Sequence, residues 1–390
     1  MINFIYEELK RIVIKKKYML IMIFLIIIIF GILMIRFIGS NEKNITKLES
    51  AIGYFKKAEV STYDKDKKEY YKNQINVEQQ ILNNLKNQKK ENYDETKVDN
   101  TINLLNKQLK SQNDDNINQQ ILKLQYYKEH DINKKNLMAE GMQNAIQILG
   151  ILFPILLGFI LTAVASDIIS GEYSPNTIKL LITRPISRGK IIIGKICSLS
   201  IVSSVIVAIS FIIISVECGI VYGFSDYKLP IMVGKRYVQD KSIVITEITS
   251  QMKYIKGSGE LISNVSAIII MALMLIIVSI ALISFLVFIS IVCKNSLSSA
   301  LLSIGISIIL ESLMFYECGF DQVKHRIFIG ALLQFFPYTF LNVGDTITGD
   351  LALKTNIPYM NVNYSITICV IWIIIMIISS VFIFKNKNID

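Results

Sequence analysis

The chain has 390 residues, 52% of them hydrophobic and 18% charged, with a formal net charge of +10. Soluble domains carry about 25% charged residues. Here long apolar runs alternate with Lys/Asn/Glu-rich stretches, so no single solvent suits the whole chain. The basic residues flank apolar runs instead of forming an Arg-rich patch with interleaved aromatics, which argues against nucleic acid and for an anionic membrane surface.

In chain order, residues 1–17 come first. Ile2, Ile5, Leu9, Ile12 and Val13 share one helical face, with Glu8, Lys10, Arg11 and Lys15 elsewhere. This predicts an amphipathic helix lying on the inner leaflet. Tyr18–Ile38 follows, 21 residues whose one charge is Arg36. About 20 apolar residues cross a bilayer, and this run is longer than the apolar core of a signal peptide and lacks a small-residue cleavage site. It reads as a retained anchor.

Residues 39–141 form a polar insertion with 18 Lys/Arg and 16 Asp/Glu. Ile45, Leu48, Ile52 and Phe55, then Ile81, Leu82 and Leu85, Leu105 and Leu109, and Ile117, Ile121 and Leu124 recur at helical spacing. Pro is absent, and Glu91-Asn92-Tyr93-Asp94 is the natural turn. A helical, coiled-coil-like projection outside the cell is expected, acting as a spacer or as a receptor for substrate or partner.

Five further spans are predicted at 142–166, 196–216, 265–292, 297–315 and 364–384. They must be helical, because lipid offers unpaired backbone groups no partner. Pro154 is placed to kink the second span. With the N-terminus inside, segments 1–17, 167–195, 293–296 and 385–390 hold 13 Lys/Arg in 56 residues, against 9 in 96 for segments 217–264 and 316–363. The positive-inside rule therefore puts both termini in the cytoplasm. The fold class expected is an all-α integral membrane protein of six transmembrane helices, with a large helical insertion between the first two.

The segment 167–195 joins the second and third spans on the inner side. Ser174-Pro175-Asn176-Thr177 makes a sharp corner, since Pro suits a first helical turn and Asn tolerates the left-handed conformation. Ile178, Leu180, Leu181 and Ile182 form a short apolar stretch, and Arg184-Pro185 ends it. Ser187 can cap the helix that continues into the third span. A short helix across the inner face is well shaped to press into a groove on a cytoplasmic partner. Gly189–Lys195 mimics a phosphate-binding loop, but Ile196 stands where a magnesium-holding Ser or Thr is needed, and a span follows instead of preceding strands. No nucleotide site is expected in this chain.

The basic amphipathic start, the single span, the large insertion and the loop Glu172…Thr177…Leu180-Leu181…Arg184-Pro185-Ile186-Ser187-Arg188…Lys195 together resemble permeases of the type-2 exporter class of ABC transporters. In that family the loop commonly reads Glu-x3-Gly-Thr, a Leu-rich turn, Pro-x-Ser-Arg and a Lys. Asn176 stands at the usual Gly, and both residues accept the left-handed region. Ser290–Ser296 is similar to the family's basic-Asn-Ser turn between the fourth and fifth spans, and Phe335-Phe336-Pro337-Tyr338 to its aromatic-Pro motif before the last span. Residues 327–340 are too short to cross and read as re-entrant or interfacial. The resemblance covers both terminal regions and the spans but not residues 39–141. It implies two paired permeases, each docking a separate ATPase that binds ATP and Mg, and residues 172–183 as the coupling element in the ATPase groove. Glu172, Asn176, Thr177, Leu180, Leu181, Arg184, Pro185 and Arg188 are the coupling-loop candidates. Peptide antibiotics, lipids, other drugs and ions all remain as substrates. The composition suggests a bacterial plasma membrane.

Lone residues add less. Glu311 is the acidic residue placed well inside a predicted span, a functional candidate or an interfacial group. Gly219 and Gly223 permit close helix contact. His130 and His325 are too few and too distant for a metal site. The five cysteines carry no ligand spacing, and Cys218 and Cys318 are the pair that could both lie near the outer face. A membrane transferase would place acid/base residues at a membrane face, where few stand. A secondary transporter would need ion-coupling groups at the midplane. A non-transporting sensor or immunity protein acting through the insertion is the alternative to export.

Overall fold

The computed structural model describes residues 2–38, 115–132, 139–173, 186–240, 252–319 and 333–387, with the isolated positions 52, 53, 79, 136 and 331. Six helices among them are long and apolar enough to cross a membrane. The amphipathic α1 (Ile2–Lys15) leads into α2 (Lys17–Ile38). Of the insertion, α3 (Asp115–Glu129) is helical; the other helical stretches expected there lie outside the described residues, as does the turn at 91–94.

The second span is interrupted. α4 (Gly141–Gln147) passes into a π-helical segment, Ile148–Leu152, and then α5 (Phe153–Ala165). Pro154 has no N–H, so an interior turn loses a donor. The backbone absorbs the defect as a π-bulge, in which the N–H of Phe153 donates to the Ile148 carbonyl. The bulge also carries Gly150, which faces Gly344. A Cβ at Gly150 would lie 3.0 Å from the Gly344 Cα. Two backbones meet here because neither residue has a side chain.

The third span, α6 (Arg188–Tyr222), has 35 residues. At 1.5 Å per residue it is about 50 Å long and overshoots the roughly 30 Å hydrocarbon core. α7 (Asn264–Val292) is the central helix. It packs against α5, α6 and α11 (Val362–Asn386), and Val278, Ala281, Leu282 and Val287 along it are buried. Ser263 caps α7 by accepting from the Ser266 N–H at 3.2 Å, and Asn361 caps α11 by accepting from Tyr364 N–H at 3.0 Å. α8 (Ser296–Gly319) leans on α5 with one face and leaves Leu297, Leu301, Ile304 and Ile308 exposed on the other.

At the face opposite the termini, the sequence pattern foresaw no strands, and the described residues form four. β1 (Pro230–Val233) pairs antiparallel with β4 (Glu260–Ser263), and β2 (Tyr237–Gln239) with β3 (Met252–Tyr254). The ribbons rest on two short helices, α9 (Val343–Thr348) and α10 (Asp350–Thr355). Gly234 and Lys235 N–H donate to the Ile347 and Thr348 carbonyls at 2.8 and 3.0 Å. Of the short apolar stretch at 327–340, the described part ends in a 3-10 turn, Pro337–Leu341, packed inside the bundle.

Candidate functional site

Two sites emerge, both built where helices meet. The first lies at the end of the bundle that carries both termini. α1 was expected to keep its charges away from its buried face. The structure turns it otherwise: Phe4, Glu8 and Ile12, spaced by four, form the buried stripe, while Ile2, Tyr6, Val13 and Ile14 are exposed. Phe4 lies over Gly194 of α6, which has no side chain to obstruct it.

Glu8 thereby reaches a buried ionic cluster. Arg11 Nη2 bridges Glu8 Oε2 at 2.9 Å and Glu172 Oε1 at 2.7 Å. Lys195 Nζ lies 3.4 Å from Glu8 Oε2 and 3.6 Å from Glu172 Oε1, and donates to the Ile168 carbonyl at 3.3 Å. The Lys195, Glu8 and Glu172 side chains are 0%, 2% and 8% exposed. Two carboxylates and two cations balance, and this balance is what makes burial tolerable. Next to them, Lys16 Nζ donates to Asp167 Oδ1 at 2.7 Å and to the Val164 carbonyl at 2.6 Å. On the other side, Ser290 Oγ of α7 accepts from the Ile169 and Ser170 N–H groups at 3.1 and 3.0 Å, and Ser299 Oγ of α8 donates to the Ser166 carbonyl.

The stretch 166–172 is thus held from α1, α6, α7 and α8 at once. Glu172, singled out in the sequence, is its final anchored residue. Asn176, Thr177, Leu180, Leu181, Arg184 and Pro185 lie outside the described residues. Arg188 is placed at the start of α6, apart from the cluster. Its Nη1 donates to the Lys385 and Lys387 carbonyls at 3.2 Å each, closing the end of α11. Lys387 sits 4.9 Å over the Tyr173 ring, and burial followed by the nearby Lys294 ammonium holds its pKa below the ordinary lysine value. Glu8, Arg11 and Lys195 were not assigned a joint role from sequence. The signal available was the Phe4-Glu8-Ile12 spacing, which puts a carboxylate in an apolar stripe. Residues 189–195 are helical from Arg188 onward, the Ile191 N–H donates to the Ser187 carbonyl, and the Lys195 ammonium is already engaged.

The second site runs along the α5–α8 contact. Ser299, Ser303, Ser307 and Glu311 recur every four residues on α8 and are 0–3% exposed. They face Gly158, Thr162 and Ser166, spaced the same way on α5. Ser299 meets Ser166, Ser307 meets Thr162 at 2.9 Å, and Glu311 fills the space above Gly158. Tyr338 adds its hydroxyl to Ser307 at 2.9 Å. Burial pushes that hydroxyl up to about 12, the Ser307 hydrogen bond offsets part of the rise, and the nearby Glu311 carboxylate adds to it. Small and hydroxylated residues at a helix contact are how membrane helices associate, since lipid removes the hydrophobic drive between them. Glu311 is therefore buried in protein. A second acid escaped the sequence reading: Glu217 on α6 sits against Gly31 of α2. Cys218 is a buried free thiol, and the side chain of Cys318 lies outside the described residues. Among the described residues no group of three or more His, Cys, Asp or Glu could hold a metal.

Six helices fit to span a membrane, a buried ionic knot tying the N-terminal helix to the loop after the second span, and a polar helix seam define a multi-pass membrane protein. The chain belongs to the ABC-2 family: the family profile described as ABC-2 family transporter protein matches residues 2–389. A search of curated proteins found no match. Family membership makes the chain the membrane permease component of an ABC transporter and implies an ATPase partner in the complex.

Proposed function

We propose that the chain is the permease of an ATP-driven exporter whose ATP and Mg are bound entirely by a separate ATPase subunit, and that the segment after Glu172 couples the two. The observation that carries this reading is the Glu8–Arg11–Glu172–Lys195 cluster. A force applied by a partner to residues 173–185 would be delivered at Glu172 to α1, α5 and α6 together, because buried balanced charges resist separation once paired. Asn176, Thr177, Leu180, Leu181, Arg184 and Pro185 form the contact with the ATPase, and Arg188 fixes the start of α6. Ile196 stands where a phosphate loop needs a magnesium-holding Ser or Thr, and Lys195 is engaged with Glu8, which supports the absence of a nucleotide site.

The working unit is a pair of permeases, each with its ATPase, in a bacterial plasma membrane, with both termini cytoplasmic. Residues 39–141 project outward as a helical spacer. The cargo is a peptide antibiotic, a lipid or a drug, moved outward. The chain itself catalyses no reaction and binds no cofactor.

Co-purification from native membranes tests this. Wild type should carry an ATPase subunit through mild detergent, and Glu172→Ala with Arg184→Ala should lose it. Absence of an ATPase from the wild-type preparation would overturn the exporter reading and turn attention to the insertion as a sensor or immunity element.

A further inference from the structure

The ends of three spans meet beside the loop after α5, and the charges they bring are all of one sign. Lys387, just past α11, donates from Nζ to the Ile291 carbonyl near the end of α7 and sits 4.9 Å over the Tyr173 ring. Lys294, just past α7, is near enough that its ammonium adds to burial in lowering the Lys387 pKa. Arg188 opens α6 and spends Nη1 on the Lys385 and Lys387 carbonyls. The rest of its donor fork has no partner among the described residues.

No described carboxylate pairs with Lys294, Lys385, Lys387 or Arg188. At the same end of the bundle Lys195 and Arg11 each have a carboxylate partner, so the imbalance is local. Cations gathered without a counter-charge attract an anion. An apolar track leads to them. Ile371, Ile374, Ile378 and Phe382 are exposed along α11, and the exposed Lys385 follows Phe382 by three residues, on the same face. An apolar helix face that runs up to a group of cations has the profile of a phospholipid, with an acyl chain along the span and a phosphate at its end.

We propose that Lys294, Lys385, Lys387 and Arg188 form a binding site for the phosphate of an anionic phospholipid whose acyl chains lie along the exposed face of α11. The site goes beyond the exporter reading and does not depend on it. Charge and the apolar track together select the occupant. A zwitterionic lipid brings its own cation against the ammonium groups, a free phosphate has no apolar part, and an acidic protein surface gains nothing from Ile378 and Phe382. Because the cations come from the ends of α6, α7 and α11, a bound phosphate holds these three ends together.

The full-length chain in mild detergent is titrated with phosphatidylglycerol and, separately, with phosphatidylcholine, and bound lipid is counted by native mass spectrometry. Lys294 is exposed and makes no hydrogen bond among the described residues, so Lys294→Glu changes charge without disturbing packing. Lys15→Glu makes the same change at another exposed lysine, on α1 at the same end of the bundle. Wild type should prefer phosphatidylglycerol by about tenfold, and Lys294→Glu should weaken that lipid by about tenfold, as a change of two charge units near the headgroup implies. Lys15→Glu should bind as wild type does. Inorganic phosphate, added at constant ionic strength, should not displace the lipid. The proposal is overturned if the two lipids bind alike, if Lys15→Glu weakens binding as much as Lys294→Glu, or if inorganic phosphate displaces the lipid. If Lys294→Glu keeps its lipid and loses a co-purifying ATPase, the cluster faces the ATPase and the lipid site is refuted. A wild-type chain that binds the lipid selectively but carries no ATPase keeps this site and loses the exporter reading.

Discussion

Lys195 and Glu8 meet 3.4 Å apart between the first helix of the chain and the N-terminal part of the third span, and neither side chain is more than 2% exposed. The pair is separated by 187 positions in sequence. It ties the N-terminal helix to the bundle.

Removing one member of such a pair strands the other charge. Lys195→Met removes one of the two cations that the described contacts give Glu8 and Glu172, and about 3–5 kcal/mol of stability should be lost. Lys195→Met combined with Glu8→Gln should recover part of it. Thermal unfolding of the detergent-solubilised chain, run as a double-mutant cycle, reads the coupling. Purely additive losses would mean that the two side chains do not interact.

Gly158 and Glu311 form a size-complementary couple across α5 and α8. Gly158→Ala puts a Cβ where the Glu311 carboxylate sits and should lower the melting temperature, an overpacking cost of about 1–3 kcal/mol. Glu311→Ala in the same chain vacates the space, so the double variant should melt above Gly158→Ala alone. A double variant that melts lower would contradict the shared volume.

Gly349 links α9 to α10 with φ +88°, and a Cβ there would run into the Lys235 carbonyl between β1 and β2. Gly349→Ala combines a left-handed backbone cost of about 1–2 kcal/mol with that collision. Protease accessibility of the 230–263 ribbons should rise in this variant while the six spans stay intact. Unchanged cleavage would show that the ribbons do not depend on this docking point.

Asp350 gives the face with the strand ribbons a pH dependence. Burial alone would raise its pKa, but the hydrogen bond and charge of Lys235, with Thr348 and the Tyr237 hydroxyl at 3.0 Å, hold it below the ordinary value of 3.8. A depressed folded-state pKa stabilises above the unfolded value and loses that contribution as pH falls through the folded one. Acid titration of wild type should therefore weaken the ribbon attachment below about pH 4. Asp350→Asn should be weaker at neutral pH and flatter across that range. Parallel titration curves for the two proteins would remove Asp350 from the account.

Part of this was legible in the sequence. The six spans follow from apolar length, because a bilayer sets the number of residues needed to cross it and lipid forces them to be helical. Glu172 and the Pro-Ser-Arg run carried the family resemblance, and the family profile agrees over residues 2–389. Pro154 marked the place of the π-bulge, since a missing N–H is a local fact.

The rest required the fold. Glu8 reads as a polar residue on an amphipathic helix until Lys195 and Glu172 arrive from far along the chain. Ser299, Ser303, Ser307 and Glu311 are visibly four apart, yet only the glycine at 158 and the hydroxyl at 162 make that spacing a seam. The strand pairs, such as Pro230 with Ser263, are only three or four residues long and leave no periodicity to read. Local periodicity shows which face of a helix differs from the rest. What that face meets is decided by contacts between distant segments, and in a membrane, where apolar faces discriminate poorly, small residues and buried charges make that choice.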